Sequence, residues 1–190
     1  MSILVIDVGT SGLRAAVVRP TGNVDHLFYE SLAPNSPVPG LVEFDAVAMR
    51  DAVLRVANAA LSAAGKVDAV GITNQRASCV VWDRNTGIPI GPALGWQDLR
   101  TVIECITARA EHGLYLAPNQ TATKASWMLK NYSIPSAAKI CIGTVDTWVA
   151  FVLSQGQLFV INMVRDNPFD FMPANSYESL QYFPRVNAFG

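Results

Sequence analysis

The chain has 190 residues and a mass of 20.5 kDa, which suffices for one well-cored domain but not for two large domains facing each other across a cleft. Hydrophobic residues make up 51% and charged residues 15% of the chain, a globular balance that excludes the composition of disordered proteins. Because 14 basic and 15 acidic residues leave a formal net charge of -1, no basic surface is available for a nucleic acid, and we expect no such partner.

The first part of the chain predicts a strand meander followed by a long helix. An apolar run at 3–8 indicates a buried strand, and residues 13–19 continue it after a Gly-Thr-Ser-Gly turn. A second turn leads to an alternating strand at 24–31, so three antiparallel strands open the domain. Asp45 then caps an Ala-rich amphipathic helix that runs to about Gly65.

The middle of the chain predicts more sheet and further helices. A buried strand is expected at 67–73, with residues 77–83 as its partner. The elements expected after it are a helix at 98–110, a helix at 123–131, a short strand at 139–142, and a helix at 144–153 capped by Thr144.

The end of the chain departs from this pattern. From about Asn162 onward, prolines are scattered among Phe, Tyr and Asn residues without a period of 2 or 3.6. We therefore predict one domain at 1–160 and an off-pattern tail at 161–190 that is not a separate domain.

Targeting and membrane segments are not expected. The amino terminus lacks a basic leader, and no apolar run approaches the roughly 18 residues of a membrane span. Cys79, Cys105 and Cys141 lie far apart without C-x-x-C spacing. We therefore expect no export, no membrane anchor and a reducing, cytoplasmic environment.

The turn between the first two strands is the first candidate for chemistry. A glycine-rich turn can direct consecutive backbone N–H groups and hydroxyls at phosphate oxygens, and an acid at the strand end can hold Mg²⁺. The residues that match are Asp7, Gly9, Thr10, Ser11 and Gly12. A hairpin whose Asp and Thr bond only their own backbone explains this short string equally well.

Five later strings give the turn a specific context. They are PGLVEFD at 39–45, GITNQR at 71–76, WQDLRT at 96–101, TKASWMLKN at 123–131 and GTVDTW at 143–148. In this order they closely resemble the amino-terminal domain of the FGGY carbohydrate kinases, with the glycerol kinases as the nearest branch, over about residues 3–160.

The resemblance implies a fold and a reaction. The fold is a ribonuclease H-like, actin-type α/β domain with a mixed sheet and flanking helices, which the family pairs with a second such domain. ATP and a small-molecule sugar or polyol bind in the cleft between them, and a phosphoryl group passes to a hydroxyl. Carried over by position, the resemblance implies nucleotide-phosphate contacts at Thr10, Ser11 and Arg14, Asp7 near the Mg²⁺ of the nucleotide, and substrate contacts at Arg76 and Trp96.

The chemistry of Arg76 and Trp96 suits a hydroxylated substrate. Arg76 offers a rigid fork of donors to adjacent hydroxyls, and Trp96 offers a flat apolar face to the carbons between them. Two alternatives stay open: Arg76 in an ion pair, for instance with Asp98 or Asp68, and Trp96 in ordinary core packing.

Two substrate positions depart from the glycerol kinases. Ala77 stands where those enzymes have an acidic residue after Asn-Gln-Arg, and Asn119 stands where they have a Tyr. Because an unpaired buried polar group is expensive, losing that carboxylate disfavours glycerol itself. A larger polyol or a sugar, held by Arg76 and Trp96 with Asn119 supplying an amide, suits these positions better, and Ala77 belongs to the same pocket.

Other conspicuous residues have simpler explanations. Lys124 and Trp127 are three apart and share a helix face, where we favour a structural staple over a substrate contact. Asp146 lies in the first turn of a helix, where an acid stabilises the helix dipole. His26 and His112 have no ligand partners at metal-binding spacing, so a protein-only metal site is not expected.

The resemblance also implies that the catalytic Asp belongs to the second domain, so we expect no catalytic residue in this chain and negligible kinase activity from it alone. The alternative is a non-catalytic nucleotide-binding or partner-docking module on the same fold. An exposed cleft wall further predicts marginal stability or self-association into a homo-oligomer.

Overall fold

The computed structural model describes residues 1–159 and, beyond them, only the backbone of one short strand, so the predicted tail at 161–190 otherwise lies outside the described residues. The elements in chain order are β1 (Ile3–Val8), β2 (Gly12–Val18), β3 (Val24–Ser31), β4 (Glu43–Phe44), α1 (Ala46–Ala64), β5 (Ala69–Asn74), β6 (Val80–Asp83), β7 (Ala93–Leu94), α2 (Val102–His112), α3 (Thr121–Asn131), β8 (Ile140–Gly143), α4 (Val145–Leu153) and β9 (Phe183–Pro184).

A five-stranded mixed sheet in the order β3-β2-β1-β5-β9 organises these elements. β1 pairs antiparallel with β2 and β2 with β3, which is the predicted meander. β5 lies parallel to β1, and two smaller sheets pair β4 with β7 and β6 with β8. The predicted α/β class, a mixed sheet opened by a meander and flanked by helices, is confirmed.

The boundaries of α1 follow from its end residues. The Asp45 carboxylate accepts hydrogen bonds from the backbone N–H groups of Val47 (2.8 Å) and Ala48 (3.0 Å), as expected of an N-cap. Gly65 ends the helix at φ 76°, and its N–H donates to the carbonyl of Leu61. The predicted cap and length of this helix are confirmed.

The core forms where α1 and α4 pack against the sheet. Alternate residues of β1 are fully buried, and α1 covers the meander with an apolar stripe. The rings of Trp82 and Trp148 meet edge to face at 5.2 Å, and the Trp148 indole donates to the carbonyl of Ala46 at 3.0 Å. These contacts join α4, β6 and the start of α1.

The predicted pairing of residues 77–83 with 67–73 is wrong. β6 pairs antiparallel with β8, in a register that opposes Val80 to Gly143. β5 instead has β1 on one side and β9 on the other, so both of its edges are occupied. A strand close in sequence therefore forms its ladder elsewhere.

The helix predicted at 98–110 begins later, at Val102. The Asp98 carboxylate accepts from the backbone N–H of Val42 at 2.7 Å and of Arg100 at 3.0 Å, which makes this segment a turn. Within the part of the chain that the structure describes, no helix has the length and apolar character needed to cross a membrane.

Candidate functional site

Two parallel strands end side by side and define the position of the site. In the register of β1 and β5, Asp7 lies opposite Thr73 and Val8 opposite Asn74. The N–H of Gln75 extends this ladder by donating to the carbonyl of Val8 at 2.8 Å. The turn after β1 and the segment after β5 therefore lie together at the carboxyl ends of these two strands, where open α/β sheets commonly bind ligands.

The turn after β1 is closed by its own backbone. The N–H of Gly9 donates to the carbonyl of Gly12 at 2.9 Å, and the N–H of Leu32 donates to the carbonyl of Ser11 at 3.1 Å. A Cβ on Gly12 would lie 2.7 Å from the carbonyl oxygen of Glu30, so only glycine fits there. With the turn closed in this way, the backbone N–H groups of Thr10 and Ser11 have no acceptor among residues 1–159.

One acid and one base flank the turn. Arg14 pairs with Asp7 at 3.3 Å, and the two side chains are 51% and 42% exposed. The Arg14 guanidinium also lies 5.2 Å from the centre of the Tyr29 ring. Because an exposed ion pair contributes little stability, Arg14 and Asp7 can separate at little cost and each can bind a charged ligand instead.

Trp96 joins this turn from a distant part of the chain. Its indole Nε1 donates to the hydroxyl of Thr10 at 3.3 Å, across a sequence separation of 86 residues. The side chain is 43% exposed, so the alternative of core packing does not apply to it. The structure therefore brings a predicted phosphate residue and a predicted substrate residue into contact.

A buried ionic cluster holds the segment that carries Trp96. The Arg100 guanidinium donates to Asp98 at 2.7 and 2.8 Å and to Glu43 at 2.7 Å, and it lies 4.7 Å from the centre of the Trp127 ring. Burial alone would raise the pKa of Asp98, but the hydrogen bonds from Arg100 and from the Val42 N–H outweigh it and lower that pKa. Sequence reasoning missed this cluster.

Arg76 directly follows Gln75, the residue whose N–H bonds to the end of β1. Its side chain is exposed and forms no ion pair with any residue in 1–159. The two acids considered as partners are engaged elsewhere, since Asp98 bonds to Arg100 and Asp68 accepts from the backbone N–H of Ser2 at 2.7 Å. The ion-pair alternative for Arg76 therefore does not apply within the described residues.

Ala77 and Asn119 meet at a single buried ammonium. Lys124 Nζ donates to the carbonyl oxygen of Ala77 at 2.6 Å and to that of Asn119 at 2.8 Å, and the Lys124 side chain is fully buried. Sequence reasoning favoured a structural role for Lys124 beside Trp127 but did not connect it to these two positions. The link runs through backbone carbonyls, which leave no trace in side-chain identity.

The start of α4 contributes a buried acid. Asp146 accepts a hydrogen bond from the Asn74 amide at 2.9 Å and another from the Thr144 hydroxyl. Thr144 is the N-cap residue of α4, as predicted, but its side chain bonds no helix N–H. Asp146 thus connects α4 to the end of β5, a contact that the helix-dipole explanation missed.

Metal-binding side chains are sparse. Residues 1–159 contain no group of three or more His, Cys, Asp or Glu side chains that could hold an ion. His26 and His112 are both exposed, and the neighbour of His112 is Glu111 at 3.8 Å. A cation at the turn would therefore share Asp7 with oxygens of a bound ligand.

Comparison with protein families gives one match that spans most of the chain. The model of the FGGY family of carbohydrate kinases, N-terminal domain, matches residues 2–165. Its range includes the turn after β1 and all five strings singled out in the sequence.

Similar curated proteins include glycerol kinases. The relative from Deinococcus radiodurans is 37% identical over 176 residues, and the one from Trichlorobacter lovleyi is 41% identical over 175 residues. The matches cover 83% and 82% of this chain, but 35% of each relative. The chain thus spans about a third of the length of these relatives.

Solved structures with the same fold include two kinases of sugars or polyols. A glycerol kinase from Plasmodium falciparum, solved with ADP, matches with a TM-score of 0.75 and 24% identity, covering 82% of this chain and 34% of that one. A xylulose kinase from Rhodospirillum rubrum matches with a TM-score of 0.68 and 20% identity, covering 80% and 33%. The fold is accordingly that of the actin-type ATPases.

Proposed function

Because the chain belongs to the FGGY family of carbohydrate kinases, we propose that it forms one wall of a site that binds ATP with Mg²⁺ and a sugar or polyol. The observation that carries this proposal is the hydrogen bond from Trp96 to Thr10. It joins the segment proposed for the substrate to the turn proposed for the phosphates, as transfer between two neighbouring ligands requires.

The nucleotide side of the proposal rests on the turn after β1. The N–H groups and hydroxyls of Thr10 and Ser11 bind phosphate oxygens, and Arg14 adds a positive charge beside them. Gly9 and Gly12 allow the backbone to approach closely. When bound, the nucleotide supplies the phosphoryl group and Mg²⁺ neutralises its oxygens, with Asp7 as the carboxylate beside the ion.

The substrate side consists of Arg76, Trp96, Ala77 and Asn119. Arg76 is exposed and free of ion pairs within residues 1–159, so its guanidinium can donate to substrate hydroxyls. The half-exposed Trp96 ring covers apolar carbons. Ala77 and Asn119 are held together through Lys124, which supports a shared pocket wall. Ala77 stands where the resemblance implies an acidic residue in the glycerol kinases, and its methyl group cannot accept hydrogen bonds from glycerol. We therefore propose a substrate larger than glycerol.

Domain limits and compartment belong to the same proposal. We assign the domain to residues 1–160 and treat 161–190 as a tail rather than a second domain. Cys79, Cys105 and Cys141 are buried and unpaired, and burial raises the pKa of Cys79 to about 12, which suits a reducing cytoplasm. We further propose that these 190 residues do not catalyse transfer by themselves, since the resemblance implies a base from a second domain.

Calorimetric titration of the purified chain with Mg-ATP tests the nucleotide site. Replacing Thr10 and Ser11 together by Ala removes both hydroxyls, and we expect at least about a tenfold loss of affinity. Thr21→Ala is the matched control, because Thr21 lies exposed in the other turn of the meander. Equal affinities of the two variants, or no binding by folded wild type, would overturn the assignment.

An assay of ATP-dependent phosphorylation over a panel of polyols and pentoses tests the remaining claims. We expect binding without turnover. Robust turnover by the chain alone would refute the claim that it lacks catalysis, while leaving the binding assignment intact. A stable complex with another protein, formed without any nucleotide affinity, would instead favour the docking module.

A further inference from the structure

Lys124 is a buried cation to which the proposed function assigns no contact with a ligand. It lies in the first turn of α3, and its side chain is fully buried. Charged side chains are almost never fully buried unless their hydrogen-bonding groups are satisfied. The acceptors of the Lys124 ammonium therefore have to be supplied by the protein itself.

The ammonium joins two segments that are distant in sequence. Its acceptors are the carbonyl oxygens of Ala77, at 2.6 Å and 47 residues away, and of Asn119, at 2.8 Å and five residues away. One segment follows β5 and carries Arg76, and the other precedes α3. A single point charge thus sets the spacing between the two parts of the proposed substrate wall.

Ala77 needs such an anchor. Its φ is 58°, in the left-handed region that residues with a Cβ seldom adopt. Conformations of this kind persist only where the surroundings hold them in place. The bond from Lys124 holds the carbonyl of this very residue, immediately after Arg76.

Other residues at the start of α3 also bond to the segment at 75–78. The Thr121 hydroxyl donates to the carbonyl of Ser78 at 3.1 Å, and the Ser78 hydroxyl donates to the carbonyl of Gln75 at 3.2 Å. Residues 75–78 are therefore docked on α3 as a unit. The turn after β1, which the proposed function assigns to the phosphates, is closed by other hydrogen bonds, from Gly9 to Gly12 and from Leu32 to Ser11.

We propose that Lys124 is a positioning residue for the substrate wall: its ammonium fixes the Arg76–Ala77 turn against the Asn119 segment without touching the substrate itself. The inference rests on the proposed function for the identity of the wall. This role predicts that removing the ammonium affects the substrate side more than the nucleotide side. Loss of the ammonium displaces the substrate side, while the turn after β1 keeps its geometry because the two bonds that close it, Gly9 to Gly12 and Leu32 to Ser11, do not involve Lys124 or its acceptors.

The test compares Lys124→Met, which keeps length but removes the donors, with Lys130→Met, which removes an exposed ammonium from the same helix. The first readout needs no ligand: the carbonyl ¹³C resonances of Ala77 and Asn119 in the assigned spectrum. We expect both resonances to shift in Lys124→Met and not in Lys130→Met, with the amide resonances of Thr10 and Ser11 unmoved.

The second readout is affinity for two probes, Mg-ATP and D-xylulose. We expect Lys124→Met to weaken D-xylulose binding by at least about tenfold and to leave Mg-ATP within about twofold. Unmoved carbonyl resonances, or equal losses for both probes, would overturn the inference. If Lys124→Met does not fold, Lys124→Gln retains an N–H donor pair and is expected to give a smaller but equally selective loss.

The two proposals fail in different ways. If folded wild type binds neither probe, the proposed function is wrong, whatever the carbonyl resonances do. If wild type binds both probes and Lys124→Met binds them with unchanged affinities, the proposed function stands and the positioning role is wrong.

Discussion

Arg100 shows how strongly one side chain can organise its surroundings. Its guanidinium is 5% exposed and lies between Asp98, which is fully buried, and Glu43. Asp98 in turn accepts from the backbone N–H of Val42, so the cluster ties the chain before β4 to the segment after β7. Trp96 lies in that segment, two residues from Asp98.

Arg100→Leu should therefore be severely destabilising. Removing the guanidinium leaves a buried carboxylate without its partner, which typically costs about 3–5 kcal/mol. Urea unfolding followed by tryptophan fluorescence measures the loss. Arg50→Leu is the control: Arg50 pairs with Asp51 at the surface, and a change within about 0.5 kcal/mol is expected. Similar losses in the two variants would contradict this account.

The same cluster predicts an acid dependence of stability. Burial by itself raises the pKa of Asp98, but hydrogen bonds from Arg100 and Val42 bring it below its ordinary value, so the folded chain holds this proton more weakly than the unfolded chain. The stabilisation is complete above the unfolded pKa of about 3.9 and is lost as the pH falls through the lower folded value.

Urea unfolding of wild type and Asp98→Asn between neutral pH and about pH 2 measures this dependence. We expect wild type to be the more stable protein at neutral pH, and the difference to shrink steadily below about pH 4. A difference that is independent of pH would show that the Asp98 charge contributes nothing to folding.

At the scale of elements, the limits of α1 follow from local chemistry. Its first free N–H groups are satisfied by Asp45, and it ends where Gly65 takes a positive φ. Between these residues its apolar face covers the meander. Loss of the cap therefore also weakens the packing of α1 on the sheet.

Asp45→Ala should lower the free energy of unfolding by about 1 kcal/mol, because two backbone N–H groups at the helix start lose their acceptor. Asp45→Asn retains an acceptor oxygen and should lose much less. Chemical denaturation monitored by circular dichroism compares them. Equal losses for Ala and Asn would mean that the hydrogen bonds do not account for the effect.

At the scale of the whole molecule, α2 and the segment after it leave several large apolar side chains exposed to water. Ile103, Ile106 and Tyr115 are exposed together, next to a groove of about 300 Å³. The groove is lined by Val102, Cys105, Ile106, Arg109, Tyr115, Leu116, Ala117, Pro118 and Gln120. Exposed apolar side chains of this kind promote association in water.

We expect the chain to self-associate as its concentration rises, and the pair Ile103→Glu and Ile106→Glu to suppress this by placing charge on the apolar surface. Sedimentation velocity over a range of concentrations measures it. Ile88→Glu is the control, since Ile88 is similarly exposed but does not line the groove beside α2. A wild type that stays monomeric throughout would contradict the prediction.

Patterns that are local in sequence predicted local structure well. The strands Ile3–Val8 and Val24–Ser31 have the predicted limits, and Asp45 caps the predicted helix. Side-chain alternation and capping depend on residues a few positions apart, which is why one sequence suffices for them. The ordered strings likewise predicted the family, which is confirmed.

Pairing between distant segments was decided by the tertiary structure. Sequence order favoured residues 67–73 and 77–83 as partners, whereas β5 joined β1 and β6 joined β8. Which edges are free depends on the path of the whole chain rather than on the composition of a strand. The contacts of Thr10 with Trp96 and of Lys124 with two carbonyls have the same origin.

The fold class and the cap of α1 were thus predictable from the sequence alone, because they depend on residue type and short-range spacing. The contact of Trp96 with the turn after β1, the separation of Arg76 from the acids considered as its partners, and the link from Lys124 to Ala77 and Asn119 came from the tertiary structure. Buried ions and backbone carbonyls acquire partners only when distant segments are brought together, and no local pattern records that step.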